Sequence, residues 1–303
     1  YTPRALWRVA RALRRERPDV VYAHLFWSYC LALPIAALVT PHACRIQGRR
    51  SLPDVDVPSW HWFGSLRRLS DRCAHGAIAN SLAVGSAVAA NEPRLAGRLW
   101  VVPNGVALRG PASRSKDGVV TLTCVANLIG YKGHATLIDA LVALPTDGWR
   151  LQLVGDGPER PRIEAMIAAA GLASRVQLLG RRDDVDAILA RSDLVVLPSY
   201  SEGLPNAVLE AMACGLPVVA SDVGGTRSLL GSGAGLLVPP RDAPALARAL
   251  RLMIDDPARR ASAGRRGREL VATALSVEAR RDAEFAAFRD ICEGRASRRP
   301  GAA

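Results

Sequence analysis

Short apolar runs alternate along this chain with stretches whose apolar positions recur every three or four residues. The first pattern predicts buried strands and the second amphipathic helices. In the first third, helical period covers Arg4–Arg17, residues 28–39, Trp62–Cys73 and Ser81–Asn91. Strands are predicted at Val20–His24, Cys44–Gln47, Ala77–Asn80 and Trp100–Pro103, with Asn80-Ser81 as a helix cap. Residues 107–118 are rich in Gly, Pro and Ser and read as a linker. A second series then begins, with strands at Val119–Val125, Trp149–Val154, Val176–Leu179, Leu194–Leu197, Val218–Ala220 and Leu236–Val238. Helices fall between them at 133–144, 159–170, 184–191, 205–214 and 225–230, and three more follow at 243–255, 257–273 and 276–292. Strands apolar on both faces and separated by helices predict doubly wound parallel sheets with right-handed crossovers. The expected organisation is an α/β chain of two such domains. Residues 1–108 form the first, 109–118 the linker and 119–275 the second. A helix at 276–292 packs back on the first domain, and 293–303 form a disordered tail. Two such domains would face a cleft, with ligands beyond the carboxyl ends of the strands.

The length of 303 residues fits two domains, and 49% hydrophobic with 22% charged residues is ordinary globular usage. That excludes a disordered tail protein, a collagen-like chain and a disulfide-stapled mini-protein. Charge changes the picture more. The chain carries a formal net charge of +12, and residues 1–110 supply +9 of it. An anionic partner for the first part is implied: nucleic acid, a membrane surface or a phosphorylated substrate. Nearly every basic residue is arginine, and only Lys116 and Lys132 are lysines. The six cysteines, at 30, 44, 73, 124, 214 and 292, form no C-x-x-C pair and read as reduced packing residues of a cytosolic protein. Val20–Cys44 holds no charged residue, but His24, Ser28, Pro34, Thr40 and Pro41 interrupt it, so it reads as strand, loop and helix rather than a membrane span. The arginine-rich amphipathic helix at the start, with no apolar core or small-residue cleavage site, does not read as a signal peptide.

The richest chemistry lies in Pro198–Ala220, where a strand ending at Leu197 runs into a turn with Glu202-Gly203, then Pro205 at a first helical position. The N–H groups that follow would point out of the helix end, which favours phosphate. Glu210 sits within Ala207-Val208-Leu209 and Ala211-Met212-Ala213, where a carboxylate is costly unless it is paired or faces a ligand. Sugar hydroxyls would be suitable donors. Taken singly, Glu202 reads equally as a first-turn acid and Glu210 as a surface residue; the whole stretch favours function.

This segment resembles the donor-site motif of retaining glycosyltransferases of family 4, whose two glutamates are separated by seven residues, as Glu202 and Glu210 are here. Val101–Val106 resembles the family's interdomain hinge, Leu153–Glu159 its Gly-rich strand-to-helix turn, and Ser221–Gly225 the turn after its next strand. The resemblance covers roughly residues 18–290 and is weaker before residue 75. It implies the GT-B fold of two Rossmann-like domains. It also implies that Glu210 holds the ribose hydroxyls of a nucleotide-sugar and that Glu202 contacts the donor sugar. The backbone after Gly203, with Leu204, Pro205 and Asn206, would line the diphosphate and sugar. Lys132, in Gly130-Tyr131-Lys132-Gly133, matches the lysine that offsets charge growing on the leaving phosphate, a transition-state role. His24 matches a histidine of the first domain; a hydrogen-bonded histidine at a strand end is the equal alternative. Gly155 and Gly157 would let backbone approach a ligand closely. Three departures stand out. Asn127 occupies a position where the family usually has arginine. Thr226-Arg227-Ser228 replaces a common glutamate. The family's opening strand and Gly-rich loop do not precede the four predicted strands, so the chain is expected to be N-terminally truncated.

The implied activity is transfer of a sugar from a UDP-, GDP- or ADP-linked donor to an acceptor hydroxyl, with retention and without a metal or other cofactor. A lipid-linked or polysaccharide precursor is the expected acceptor. A nucleotide-sugar epimerase or a phosphorylase are alternatives within the fold; the second needs pyridoxal phosphate on a lysine, and lysines are scarce. From another class comes a basic protein that binds nucleic acid or anionic membrane. Arg4, Arg8, Arg11, Arg14 and Arg15 share a helix with Leu6, Trp7 and Leu13, which suits a membrane surface. No nucleic-acid module motif appears. The expected location is cytoplasmic, peripheral at the inner face of the membrane.

Overall fold

The computed structural model describes residues 2–52, 61–110, 112, 118–145 and 147–296. Two compact units emerge, one of residues up to Pro103 together with those from Arg280, the other of Asn104–Ala279.

The first unit contains α1 (Pro3–Glu16), β1 (Val20–His24), α2 (Phe26–Val39), β2 (Cys44–Arg49), α3 (His61–Cys73), β3 (Gly76–Ala79), α4 (Leu82–Asn91), α5 (Pro93–Ala96) and β4 (Leu99–Val101). Its sheet runs β1-β2-β3-β4, parallel throughout, with Val20 beside Cys44 and Ile46 beside Gly76. Ser81 caps α4, its hydroxyl accepting from the Val84 N–H as its position predicts. The short α5 is absent from the sequence expectation, because Pro93 and Gly97 bracket too few residues to show a period. One face of the sheet packs on Phe26, Tyr29, Cys30 and Leu33 of α2. The other contributes Cys44, Ile46 and Ile78 to a cluster with Ala287 and Ile291 of the last helix, α13 (Val277–Ala296).

The second unit contains β5 (Val120–Val125), α6 (His134–Val142), β6 (Trp149–Val154), α7 (Arg160–Ala169), β7 (Val176–Gly180), α8 (Val185–Leu189), β8 (Leu194–Leu197), α9 (Asn206–Ala213), β9 (Val218–Ser221), α10 (Thr226–Leu230), β10 (Gly235–Val238), α11 (Ala243–Asp255) and α12 (Pro257–Ala274). All six strands are parallel in the order β10-β9-β8-β5-β6-β7. The chain therefore starts in the middle, winds one way through β7, then returns beside β5 and winds the other way. Both faces are covered: Leu122, Leu151 and Leu194 join one apolar cluster, and Val195, Val218 and Ala220 the other. Each fully buried Leu or Val contributes about 1.5–3 kcal/mol.

Both units thus have the parallel α/β architecture that the apolar pattern predicts, and the second is doubly wound. Two details differ. Pro205 is the N-cap of α9, extended at φ −73 and ψ 116, so helix begins at Asn206 rather than at the proline. A single 3-10 turn at Gly130–Lys132, invisible to a periodicity argument, precedes α6. Of the linker stretch, residues 111 and 113–117 lie outside the described residues, as do 297–303 of the tail. Arg109 and Ala112 donate their N–H groups to the carbonyls of Ala213 and Cys214.

Candidate functional site

A cavity of about 910 Å³ lies over the carboxyl ends of β5, β6 and β8. This is where the winding direction reverses, the position at which such sheets hold ligands. Its wall brings together Asn127, Lys132, Gly155, Gly157, Glu202, Leu204, Pro205, Asn206 and Glu210, all named as candidates from sequence. Gly203 is not in that wall; its carbonyl accepts from the Gly225 N–H at 2.8 Å. Gly130 lines a different, smaller cavity.

Local structure explains each placement. In α9 the N–H groups of Val208 and Leu209 turn back to the Pro205 carbonyl. Asn206 and Ala207, which precede them, face the cavity, where helix ends favour anions. Asn206 is itself held by Asn104, whose Nδ2 donates to the Asn206 Oδ1 at 2.8 Å. Sequence reasoning missed Asn104, although it lies in the hinge-like Val101–Val106 stretch.

Gly155 and Gly157 also meet a packing requirement of the chain itself. Gly155 has φ +140, and a Cβ there would stand 2.1 Å from the Ala126 carbonyl oxygen; at Gly157 it would stand 2.4 Å from that of Leu128. These glycines let two segments of the chain itself meet at the cavity wall. Next to them the β6–β7 ladder slips, Leu153 pairing with Leu178 but Val154 with Gly180. Such a bulge redirects the strand end, and Arg181 and Arg182 follow it into the cavity wall. Neither arginine was a candidate, although both directly follow a predicted strand end, the signal that could have found them.

The electrostatics divide the cavity. Lys132 Nζ donates to Glu202 Oε1 at 2.6 Å, with side chains 16% and 9% exposed. The two residues to which the resemblance gives separate roles thus neutralise each other. Glu210 stands near the Arg109–Asp186 pair (3.0 Å). Burial, then Asp186, raises the Glu210 carboxyl above its ordinary range, and Arg109 opposes this. Arg182 is held by Asp184 through two bonds of 2.7 Å. The cavity therefore offers cations, a helix end and two carboxylates, which is chemistry for a polyhydroxylated anion.

His24 belongs to the first unit, at the carboxyl end of β1. Its Nδ1 accepts from Arg50 Nε at 3.0 Å, and burial followed by the Arg50 charge lowers its pKa. Gly48 on β2 makes room for it, since a Cβ there would lie 2.3 Å from Nδ1. Among the described residues no group of three or more His, Cys, Asp or Glu could hold a metal ion, and no helix is long and apolar enough to cross a membrane. All six cysteines are free thiols.

A doubly wound unit with an anion site at its reversal point defines a nucleotide- or phosphate-binding class, and similarity to known proteins narrows it. Residues 111–270 match the glycosyl transferases group 1 family, and residues 1–109 match glycosyltransferase family 4. The chain belongs to the glycosyl transferases group 1. It is 29% identical over 301 residues to the 2-deoxystreptamine glucosyltransferase of Streptomyces kanamyceticus, covering 90% of this chain and 78% of that one. Against the 2-deoxystreptamine N-acetyl-D-glucosaminyltransferase of Streptomyces fradiae it is 30% identical, over 78% of this chain and 63% of the other. Against the alpha-D-kanosaminyltransferase of Streptomyces kanamyceticus the match spans 45% of that protein's length, so it spans less than two thirds of some curated relatives. Among solved structures, Anabaena Alr3699/HepE in complex with UDP and glucose superposes with a TM-score of 0.82 at 24% identity, over 93% of this chain and 80% of that one. Sucrose-phosphate synthase from Thermosynechococcus elongatus gives 0.79 at 25%, over 96% and 80%. The fold is GT-B.

Proposed function

We propose that the second unit binds a nucleotide-diphosphate sugar and that the protein transfers its glycosyl group to an acceptor hydroxyl with retention. The observation that carries this reading is one cavity joining Lys132, Glu202, the start of α9 and Glu210. Glu210 accepts from the ribose hydroxyls. The diphosphate lies at the N–H groups of Asn206 and Ala207. Glu202 accepts from hydroxyls of the donor sugar. In this reading the bond from the anomeric carbon to the phosphate oxygen breaks as the acceptor oxygen bonds to that carbon. The acceptor proton passes to the departing phosphate, and Lys132 exchanges Glu202 for that oxygen as its charge grows. Lys132 and the helix end supply the positive charge, with no cation cofactor assigned to the step. Rates unchanged by EDTA are expected.

UDP, which the HepE structure holds, is the first nucleotide to test, with GDP and ADP beside it. The deciding experiment titrates these nucleotides and their sugars into the intact protein and a Glu210→Ala variant. Binding by the parent and weakened binding by the variant support the assignment. No binding, or equal binding, removes it.

For the acceptor we propose a lipid-linked or polysaccharide precursor met at an anionic membrane from the cytoplasmic side. Support comes from α1, which buries none of its residues, carries five arginines and leaves Trp7 60% exposed. Sedimentation with anionic vesicles at two salt concentrations tests it: salt-sensitive pelleting is expected, and absence from the pellet at low salt ends the idea.

A further inference from the structure

The second unit has another cavity, of about 320 Å³, whose wall shares no residue with the one described above. Tyr131, His134, Glu159, Arg162, Tyr200 and Arg241 supply its polar and aromatic surface. We propose that it is a second ligand site, for a small phosphorylated or carboxylated sugar or polyol, with Arg241 as the anion-binding group.

The backbone at Arg241 makes the first point. It sits at φ +64, in the left-handed region, where side chains with a Cβ are disfavoured and glycine is not. An arginine kept in such a place invites the question of what its side chain does. Its guanidinium lies 3.9 Å from the centroid of the Tyr200 ring, and Tyr200 is held in turn by a 2.8 Å hydrogen bond between its hydroxyl and Thr136 Oγ1. Arg241 forms no salt bridge among the described residues. An exposed guanidinium stacked on a hydrogen-bonded ring is placed for planar, bidentate recognition of a phosphate or carboxylate.

The rest of the wall fits the remainder of such a ligand. Arg162 Nη1 donates to Glu159 Oε2 at 2.8 Å, so that pair is neutral as a unit while presenting both donors and an acceptor to hydroxyl groups. The cavity's charge excess is therefore that of Arg241. Tyr131, 37% exposed, offers a ring to the carbon face of a sugar. His134, only 4% exposed, carries a buried Nδ1 with no hydrogen-bond partner, an orphan polar atom at the wall.

The test is calorimetric titration of the full chain with glucose 6-phosphate, glucuronate, inorganic phosphate and glucose. The parent, Arg241→Gly, Arg241→Lys and Glu210→Ala are compared. Binding of glucose 6-phosphate or glucuronate is expected, at least tenfold weaker in Arg241→Gly and partly restored in Arg241→Lys. Glu210→Ala should bind the probe like the parent. Glycine relieves the backbone at this position, so Arg241→Gly should melt at or above the parent temperature. Four results would each overturn the proposal: anionic probes binding no better than glucose, inorganic phosphate binding as tightly as the sugar anions, undiminished binding in Arg241→Gly with or without a lower melting temperature, or equal loss in Glu210→Ala, which would put the probe in the larger cavity. Nucleotide titration of the same variants reports on the donor site separately.

Discussion

Charges are handled differently in the two parallel-sheet units. In the first, Arg49, Glu92 and Asp71 sit together, each less than a tenth exposed, with Arg49 bonded to Glu92 and to the Tyr29 hydroxyl and 3.5 Å from Asp71. Arg67 reaches Glu92 at 3.4 Å, and Gln47 Nε2 donates to Asp71 at 3.0 Å. No cavity opens on these groups among those described above; their partners belong to the chain. In the second unit the most buried ion pair among the described residues, Lys132 and Glu202, lies on a cavity wall. A buried pair that only the chain can satisfy serves architecture. In the proposed function, a pair beside an opening serves exchange.

Variants at the two pairs should separate these roles. Glu92→Ala leaves the buried Arg49 charge with only the longer contact to Asp71 and should destabilise the first unit by about 3–5 kcal/mol, read by denaturant unfolding. Intact stability in that variant would mean that the network is dispensable. Lys132→Ala should leave stability near that of the parent yet lower turnover of a nucleotide-sugar by roughly 10²–10³-fold, as loss of a transition-state charge partner does. A large stability loss there would erase the contrast.

Acidity sharpens the comparison further. Burial, opposed by Arg49 and aided by Asp71, raises Glu92 from 4.5 to about 6. The folded state therefore holds the proton more tightly than the unfolded one. The stabilising contribution is complete below pH 4.5 and is lost as pH rises through 6. Relative to Glu92→Gln, the parent should lose about 2 kcal/mol of stability between those limits, measured as unfolding free energy against pH. The smallest effect belongs to Glu210, whose pKa is raised in the same direction. If Glu210 holds the ribose hydroxyls as proposed, its carboxylate is the better acceptor for them, so nucleotide affinity should fall on acidification. Glu210→Ala should bind about tenfold more weakly, near 1.4 kcal/mol, and without that pH dependence.

Most strands and helices were legible in the sequence to within a residue or two, because each is an unbroken apolar run or a clear period; β6 at Trp149–Val154 and α11 at Ala243–Asp255 match their expected ends. The site was legible as a set of positions, since the stretch from Glu202 to Glu210 is local. What escaped depends on contacts between distant segments. The Lys132–Glu202 pair joins residues seventy positions apart, and Asn104 reaches Asn206 across 102. The backbone clash that makes Gly155 necessary lies with Ala126. No spacing rule reports any of these.

The first unit is assembled from both ends of the sequence, with the whole second unit intervening between Pro103 and Arg280. During synthesis the ribosome therefore releases β1 to β4 before the second unit and α13 only after it. Until Ala287 and Ile291 emerge, the sheet face formed by Cys44, Ile46 and Ile78 has no cover from that helix. The nascent chain therefore carries that apolar face without this cover throughout translation of the second unit.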